Sequence, residues 1–444
     1  MANGLIIAAP ASGSGKTVFT LGLLRALARR GAALASAKVG PDYIDPAFHA
    51  AASGRPCLNL DSWGMRPATI AALAADLSRA DLVVCEGVMG LFDGADLPPG
   101  QPCGSTADVA ALTGWPVLLL VDVPGQAASV AALVGGFLRH RPEVPVAGVV
   151  FNRVGSPAHR AMITRAMQAA HPGLPLLGWL PHDPAMTLPE RHLGLIQARE
   201  HNDLDARLDA AAALVAAHVD LEALTALARP CRLSVAETGA PLPPPGRRIA
   251  VAEDDAFAFA YPALLEGWRR AGAALARFSP LADQPPPSDA DFIYLPGGYP
   301  ELHAGRLAAA ATFLEGLRRA AARDVPIFGE CGGYMVLGRG LVDAAGQRHA
   351  MAGLLPVSTS FAQRRLHLGY RQARLAAATA LGAAGAAFRG HEFHYASIIE
   401  AETGAPPLFH LTDAAGRPLP PAGQVQGAVM GSFLHLLDRT DPSS

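Results

Sequence analysis

The sequence predicts two α/β domains in tandem, each built on a mainly parallel sheet. Three observations carry this prediction. Aliphatic runs of strand length alternate with longer helical stretches, a glycine-rich turn closes the first such run, and a proline-rich stretch near residue 240 separates a second alternating region that carries a cysteine between small residues. At 444 residues the chain exceeds one typical core, so two domains of about 200 residues each are expected.

In the first half, Leu5–Ala9, Leu82–Cys85, Val117–Val121 and Val146–Phe151 read as buried strands, and Val18–Arg30, Pro67–Ser78 and Ser129–Arg139 read as helices. Such alternation predicts a parallel sheet whose ligands bind at the carboxyl ends of its strands. The stretch from Ala236 to Gly246 is polar and then proline-rich. Proline lacks the N–H that helix and sheet need, so this reads as a semi-rigid linker. The expected division is therefore 1–235, a linker over 236–247, and 248–444. Beyond the linker, Arg248–Ala252, Phe292–Leu295 and Val325–Phe328 read as strands, with a helix over Arg306–Ala322.

A formal charge of −2 gives no support for a nucleic-acid or membrane-surface partner. Apolar stretches are interrupted before reaching membrane-spanning length, and the opening residues lack the regions of an export signal. Five cysteines are scattered, without a CxxC pair or zinc spacing, which fits a reducing cytoplasm.

The first strand runs into Ser12-Gly13-Ser14-Gly15-Lys16-Thr17 and then a helix. Glycines let backbone N–H groups approach phosphates, Lys16 would meet the β/γ oxygens of ATP, and Thr17 would hold Mg²⁺. A standard loop has glycine where this chain has Pro10. Further hard-oxygen ligands are sought in Asp42 and Asp45, set in a Pro/Gly loop, and in Glu86 at the end of an apolar strand. Tyr43 and Ile44, between the two loop acids, are candidates for substrate contact, as is Asp93 in the turn after Gly90.

Phe328-Gly329-Glu330-Cys331-Gly332-Gly333 reads as strand, tight turn and helix, exposing Cys331 as a nucleophile. The helix N-terminus is expected to lower the thiol pKa. Gly298, in the turn after Tyr294-Leu295-Pro296, and Gly332 are candidate oxyanion donors. His391, His394 and His435 all remain open as the base.

Together these blocks, with Lys38–His49, Leu188–Leu195 and His391–Tyr395, resemble the cobyrinic acid a,c-diamide synthase family of corrinoid (vitamin B12) biosynthesis. The resemblance implies a dethiobiotin-synthetase-like P-loop domain followed by a class I glutamine amidotransferase domain. It also implies a reaction in which ATP activates the a and c carboxylates and glutamine supplies ammonia. It accounts for Pro10, selects His435 as the base, assigns Asp93 to the acyl-phosphate step, and implies that Asn152 recognises adenine. ATP, glutamine and a corrinoid are the implied substrates, and a homodimer is the implied assembly. The opening motif and Leu188–Leu195 are most similar to the hydrogenobyrinic acid branch, with the cobalt-containing substrate as the alternative. Cobyric acid synthases, and nucleotide switches with a degenerate amidotransferase module, are more distant alternatives. Many class I amidotransferases carry a glutamate two residues after the histidine; here that position is Leu437.

Overall fold

The computed structural model describes residues 3–187, 190, 191, 194, 195, 197–233, 240–402 and 404–440. Positions 188, 189, 192 and 193 of the Leu188–Leu195 block, and 236–239 of the expected linker, lie outside the described residues. The chain divides into two compact units. Described residues through 233 form the first, except Gly64–Thr69 and Ala95–Leu97, which group with residues from 240 onward.

In the first unit β1 (Asn3–Ala8), β2 (Leu34–Val39), β3 (Cys57–Leu60), β4 (Leu82–Glu86), β5 (Val117–Asp122), β6 (Val146–Val154) and β7 (Leu176–Pro181) form a sheet in the order β3-β2-β4-β1-β5-β6-β7. Every neighbouring pair along that order is parallel. Short Arg229–Pro230 adds an antiparallel partner to β1. Continuous aliphatic strands are the sequence signature of such a sheet, since both faces are covered. The chain leaves β1 toward β2 on one side and later adds β5 on the other, so the β1 carboxyl end is a topological switch point where ligands bind. Two helices start there or next to it, α1 (Lys16–Arg29) and α2 (Ile44–Ser53). Helix α1 packs closely on Leu204–His218 because Gly22 has no side chain; a Cβ there would lie 2.8 Å from the Ala211 carbonyl.

The second unit has a six-stranded sheet in the order Ala274–Phe278, Arg248–Ala252, Phe292–Leu295, Ile327–Glu330, Val429–Ser432, Gln424–Gln426, parallel except at the last pair. Its core includes Phe257, Phe313, Leu317, Ile327, Tyr334 and Leu355. Two further sheets went unread in the sequence. One is a five-stranded antiparallel sheet joining Pro418–Ala422, Phe409–Asp413, His367–Leu375, Ala387–His394 and His435–Arg439. It pairs His391 directly with His435.

Two expectations require correction. The helix expected over Arg306–Ala322 is two helices, Ala304–Ala309 and Ala311–Ala321, broken at Ala310. The cause is remote in sequence: the Asp283 carboxylate accepts the Phe313 N–H at 2.8 Å and caps the second helix. The described part of the expected linker is packed rather than a spacer, with Leu242 buried and the Pro241 carbonyl accepting the Arg439 N–H.

Candidate functional site

Between β1 and α1 the phosphate-type loop is shaped by its glycines. Gly13 and Gly15 take φ of 75° and 90°, and a Cβ on Gly15 would lie 2.6 Å from the Asn152 amide nitrogen. Ser12 and Gly13 are exposed, whereas Ser14 is buried and donates its hydroxyl to the Ala11 carbonyl. The Lys16 ammonium donates to the Met89 carbonyl at 2.6 Å and the Ala11 carbonyl at 3.4 Å. Burial lowers its pKa to about 8, against the pull of Glu86.

Beside the loop lies a buried charge cluster. The Thr17 hydroxyl donates to Glu86 Oε1 at 2.6 Å and lies 3.4 Å from Asp45 Oδ2. Lys38 donates to the same two oxygens, at 2.7 and 2.5 Å. His49 meets the other Glu86 oxygen at 2.6 Å and is followed by Cys57 at 3.5 Å from its Nδ1. Burial alone would push Glu86 up, but Lys38 and His49 outweigh it and hold the carboxyl well below its ordinary range. Burial and Asp42 raise Asp45 to about 7 despite Lys38. The register explains the convergence, since Lys38 and Ile7 are both paired with Glu86 across β4.

The Thr17 hydroxyl thus sits against one oxygen each of Asp45 and Glu86, and such oxygens are the hard donors a divalent cation accepts. Asp42 is not brought into this set. Its Oδ1 accepts the N–H groups of Ile44 and Asp45 and caps α2, and no group of three His, Cys, Asp or Glu side chains arranged for a metal occurs among the described residues. Ile44 packs against the core, and Tyr43 precedes it, half-buried, at the helix start. Asp93 is exposed and its Oδ2 accepts the Gly90 N–H at 2.8 Å, the bond that closes its turn. Asn152 donates to the Ser14 carbonyl and accepts the Arg153 N–H. Thus Asn152 shapes the phosphate loop from beneath. Arg153, missed in the sequence, bonds the Gly13 carbonyl and Asp122. Lys38 and His49 were also missed; a lysine one residue from the end of an otherwise uncharged strand was the available signal.

In the second unit Cys331 sits at the tip of a strained turn, φ 47° and ψ −101°, between the strand Ile327–Glu330 and the helix Gly332–Leu337. Small neighbours permit it: a Cβ on Gly333 would lie 2.0 Å from the Leu295 carbonyl. Its N–H is held by the Ser432 carbonyl at 2.8 Å. The expected lowering of the thiol pKa is not found. Burial pushes the Cys331 thiol well up, helped by Glu301, and the Gly332 N–H offsets only part of this. The adjoining helix has six residues, too short for a dipole that overcomes desolvation.

His435 is 1% exposed, and burial, then His391, keeps its imidazole well below the usual range and so neutral. A thiol beside a neutral imidazole is a general-base pair that makes thiolate only during attack. A Cβ placed on Gly297 would lie 2.4 Å from His435 Cε1, 3.3 Å from Nε2 and 3.3 Å from Cys331 Cβ, so a side chain there would crowd both residues and glycine leaves them that space. A Cβ on Gly332 would lie 3.0 Å from the Gly298 nitrogen, which puts the two candidate oxyanion donors side by side. His391 stacks on His435 at 5.0 Å and bonds the Tyr261 hydroxyl, and His394 stacks on Phe433 at 3.9 Å. Gly297→Ala is expected to displace the His435 ring and cut glutaminase kcat about 100-fold, while synthesis from ammonium continues. Steady-state assays with the two nitrogen sources check this.

Comparison with known proteins follows the same division. Residues 5–196 match the CobQ/CobB/MinD/ParA nucleotide binding domain, and residues 248–442 match the CobB/CobQ-like glutamine amidotransferase domain. Over 440 residues the chain is 56% identical to the hydrogenobyrinate a,c-diamide synthase of Brucella suis, covering 98% of each chain. It is 55% identical to that of Rhodobacter capsulatus, with 98% of each covered, and 52% identical to that of Mesorhizobium japonicum, with 99% of each covered. With such identity across both units, and with a phosphate loop in one and a cysteine–histidine site in the other, the chain belongs to the hydrogenobyrinate a,c-diamide synthase family of glutamine-hydrolysing amidating ligases.

Proposed function

We propose that this enzyme amidates the a and c side-chain carboxylates of hydrogenobyrinic acid, using ATP and glutamine, in cobalamin biosynthesis. The observation that carries the reading is identity above half with enzymes of that name over nearly the whole of both chains. The relatives reported above are named for the metal-free macrocycle, so the cobalt-containing alternative is not favoured.

At the amidotransferase site, Cys331 adds to the amide carbonyl of glutamine as His435 takes the thiol proton and passes it to the departing ammonia. The Gly298 and Gly332 N–H groups receive the oxyanion. Water, activated by the same imidazole, then releases glutamate from the thioester. At the ATP site, a carboxylate oxygen of the macrocycle attacks the γ-phosphorus and ADP leaves; ammonia adds to the acyl phosphate and phosphate leaves, giving the amide.

Lys16 offsets phosphate charge, and the loop from Ser12 to Gly15 presents backbone N–H groups. Thr17, Asp45 and Glu86 would hold Mg²⁺, which when bound neutralises charge between the phosphates. Tyr43, Ile44 and Asp93 lie on the same carboxyl edge and are assigned to the macrocycle side. Five free cysteines and a near-neutral charge support a cytoplasmic enzyme without a nucleic-acid partner. No described helix is long and apolar enough to cross a membrane.

Mass spectrometry of hydrogenobyrinic acid and, in parallel, cobyrinic acid incubated with enzyme, ATP, Mg²⁺ and glutamine tests the proposal. Two successive carboxylate-to-amide shifts on the metal-free substrate are expected. Faster conversion of the cobalt substrate, or no shift alongside active glutaminase, would overturn it.

A further inference from the structure

We propose that Glu330, the residue before the nucleophile, positions His435 by accepting the hydrogen bond of its Nδ1–H. It would take the place of the carboxylate that other amidotransferases of this class carry two residues after the histidine. The inference rests on Cys331 and His435 being the glutaminase pair, and it names the group that orients the imidazole.

Leu437 is buried and apolar, so the usual position supplies no acceptor. Glu330 ends the strand Ile327–Glu330 and pairs with Ser432 of the neighbouring strand, three residues before His435. Its Oε2 lies 4.0 Å from His435 Nδ1, and both side chains are almost fully buried. On the nucleophile side, His435 Nε2 and Cys331 Cβ each lie 3.3 Å from the point where a Gly297 Cβ would stand. Nε2 toward the sulfur and Nδ1 toward a carboxylate is the orientation a general base needs.

The carboxylate is itself fixed. The Tyr294 hydroxyl donates to Oε2 at 2.6 Å, and the N–H of Leu436, the residue directly after His435, donates to Oε1 at 3.0 Å. That second bond ties Glu330 to the histidine's own backbone. The stacked His391 ring lies over the face of His435, within 13° of parallel, and so restrains its tilt. Rotation about the ring axis is left to an in-plane partner. A separation of 4.0 Å is longer than a hydrogen bond. Closure occurs when the thiol proton makes the imidazole cationic and the Glu330 carboxylate, 4.0 Å away, becomes its counter-charge.

Burial, opposed by the Tyr294 and Leu436 bonds, raises Glu330 to about 7. The groups facing this pair are Tyr294 and Cys331, both pushed well up, and His391, lowered to about 3; Glu301 and Glu392 act on Cys331, and Arg371 on His391. Glu330 is therefore the group of this set that titrates near neutral pH. Its carboxylate form is lost as pH falls through about 7, and glutaminase should fall with it.

Glutaminase kcat, KM and pH profile are measured on the full chain for wild type, Glu330→Gln and Tyr294→Phe, with ammonium-driven synthesis as the check of folding. Glu330→Gln is expected to lower kcat about 10- to 100-fold with KM within about twofold, and to remove the acid limb near pH 7. Tyr294→Phe, which removes a donor to the carboxylate, should move that limb to higher pH. An unchanged kcat, or a loss that leaves the acid limb in place, overturns the inference. If Glu330→Gln does not fold, the limb of Tyr294→Phe decides. Absence of glutaminase in wild type would instead overturn the reading of Cys331 and His435.

Discussion

Cys331→Ala abolishes glutamine-driven amidation, with a loss on the order of 10⁴-fold or more, and retains amidation driven by ammonium. The size follows from the chemistry. The thiol is the atom that attacks, and its burial leaves no thiolate in reserve for a neighbouring group to mimic. The selectivity follows from the division of the chain into two units, each with its own core and its own site. Residue 331 also holds a left-handed backbone at φ 47°, which alanine tolerates no better than cysteine. The replacement therefore removes the sulfur without adding backbone strain. Amide formation followed by mass spectrometry, with either nitrogen source, reads both arms. Loss of both would show that Cys331 holds the turn together rather than performing chemistry.

Lys16→Ala gives the converse pattern: synthesis falls about 1,000-fold with glutamine and ammonium alike, while glutamine hydrolysis persists. The ammonium is anchored on the Met89 and Ala11 carbonyls, at the mouth of a loop whose other groups are backbone donors. No other described cation is held by that loop's carbonyls in the same way except Arg153, which reaches Gly13 from the far side. Lys38 cannot substitute, being committed to Asp45 and Glu86. ADP release and glutamate release, assayed separately, distinguish this outcome from unfolding, which would remove both.

Much of the parallel architecture was legible because buried strands are written as uninterrupted aliphatic runs. Arg248–Ala252 and Phe292–Leu295 fall where that pattern puts them. Glu86 stood out because it is an acid ending such a run. The antiparallel sheet did not, since His367–Leu375 is half-exposed and mixes glycine, arginine and glutamine without clean alternation. Its absence from the reading left His435 unconnected to His391, and only a family resemblance chose between them. The break at Ala310 was invisible for another reason: alanine favours helix, and the Asp283 cap that interrupts it is remote in sequence.

Asp42 shows an ambiguity of residue type. A helix-capping aspartate and a metal-binding one look alike in a Pro/Gly loop, and only the N–H groups of Ile44 and Asp45 reveal which role is filled. The thiol shift was misjudged because helix position is readable in a sequence and depth of burial is not. Glu330 was hidden in plain view between Gly329 and Cys331, its significance carried by Tyr294 and Leu436, which only folding brings to it.

The most direct test of coupled chemistry is the fate of nitrogen from [amide-¹⁵N]glutamine, supplied as the only added nitrogen source with ATP, Mg²⁺ and hydrogenobyrinic acid. The expected product is a diamide with ¹⁵N in both new amides and one ADP formed for each. Unlabelled amides, or amide formation without ADP, would contradict it.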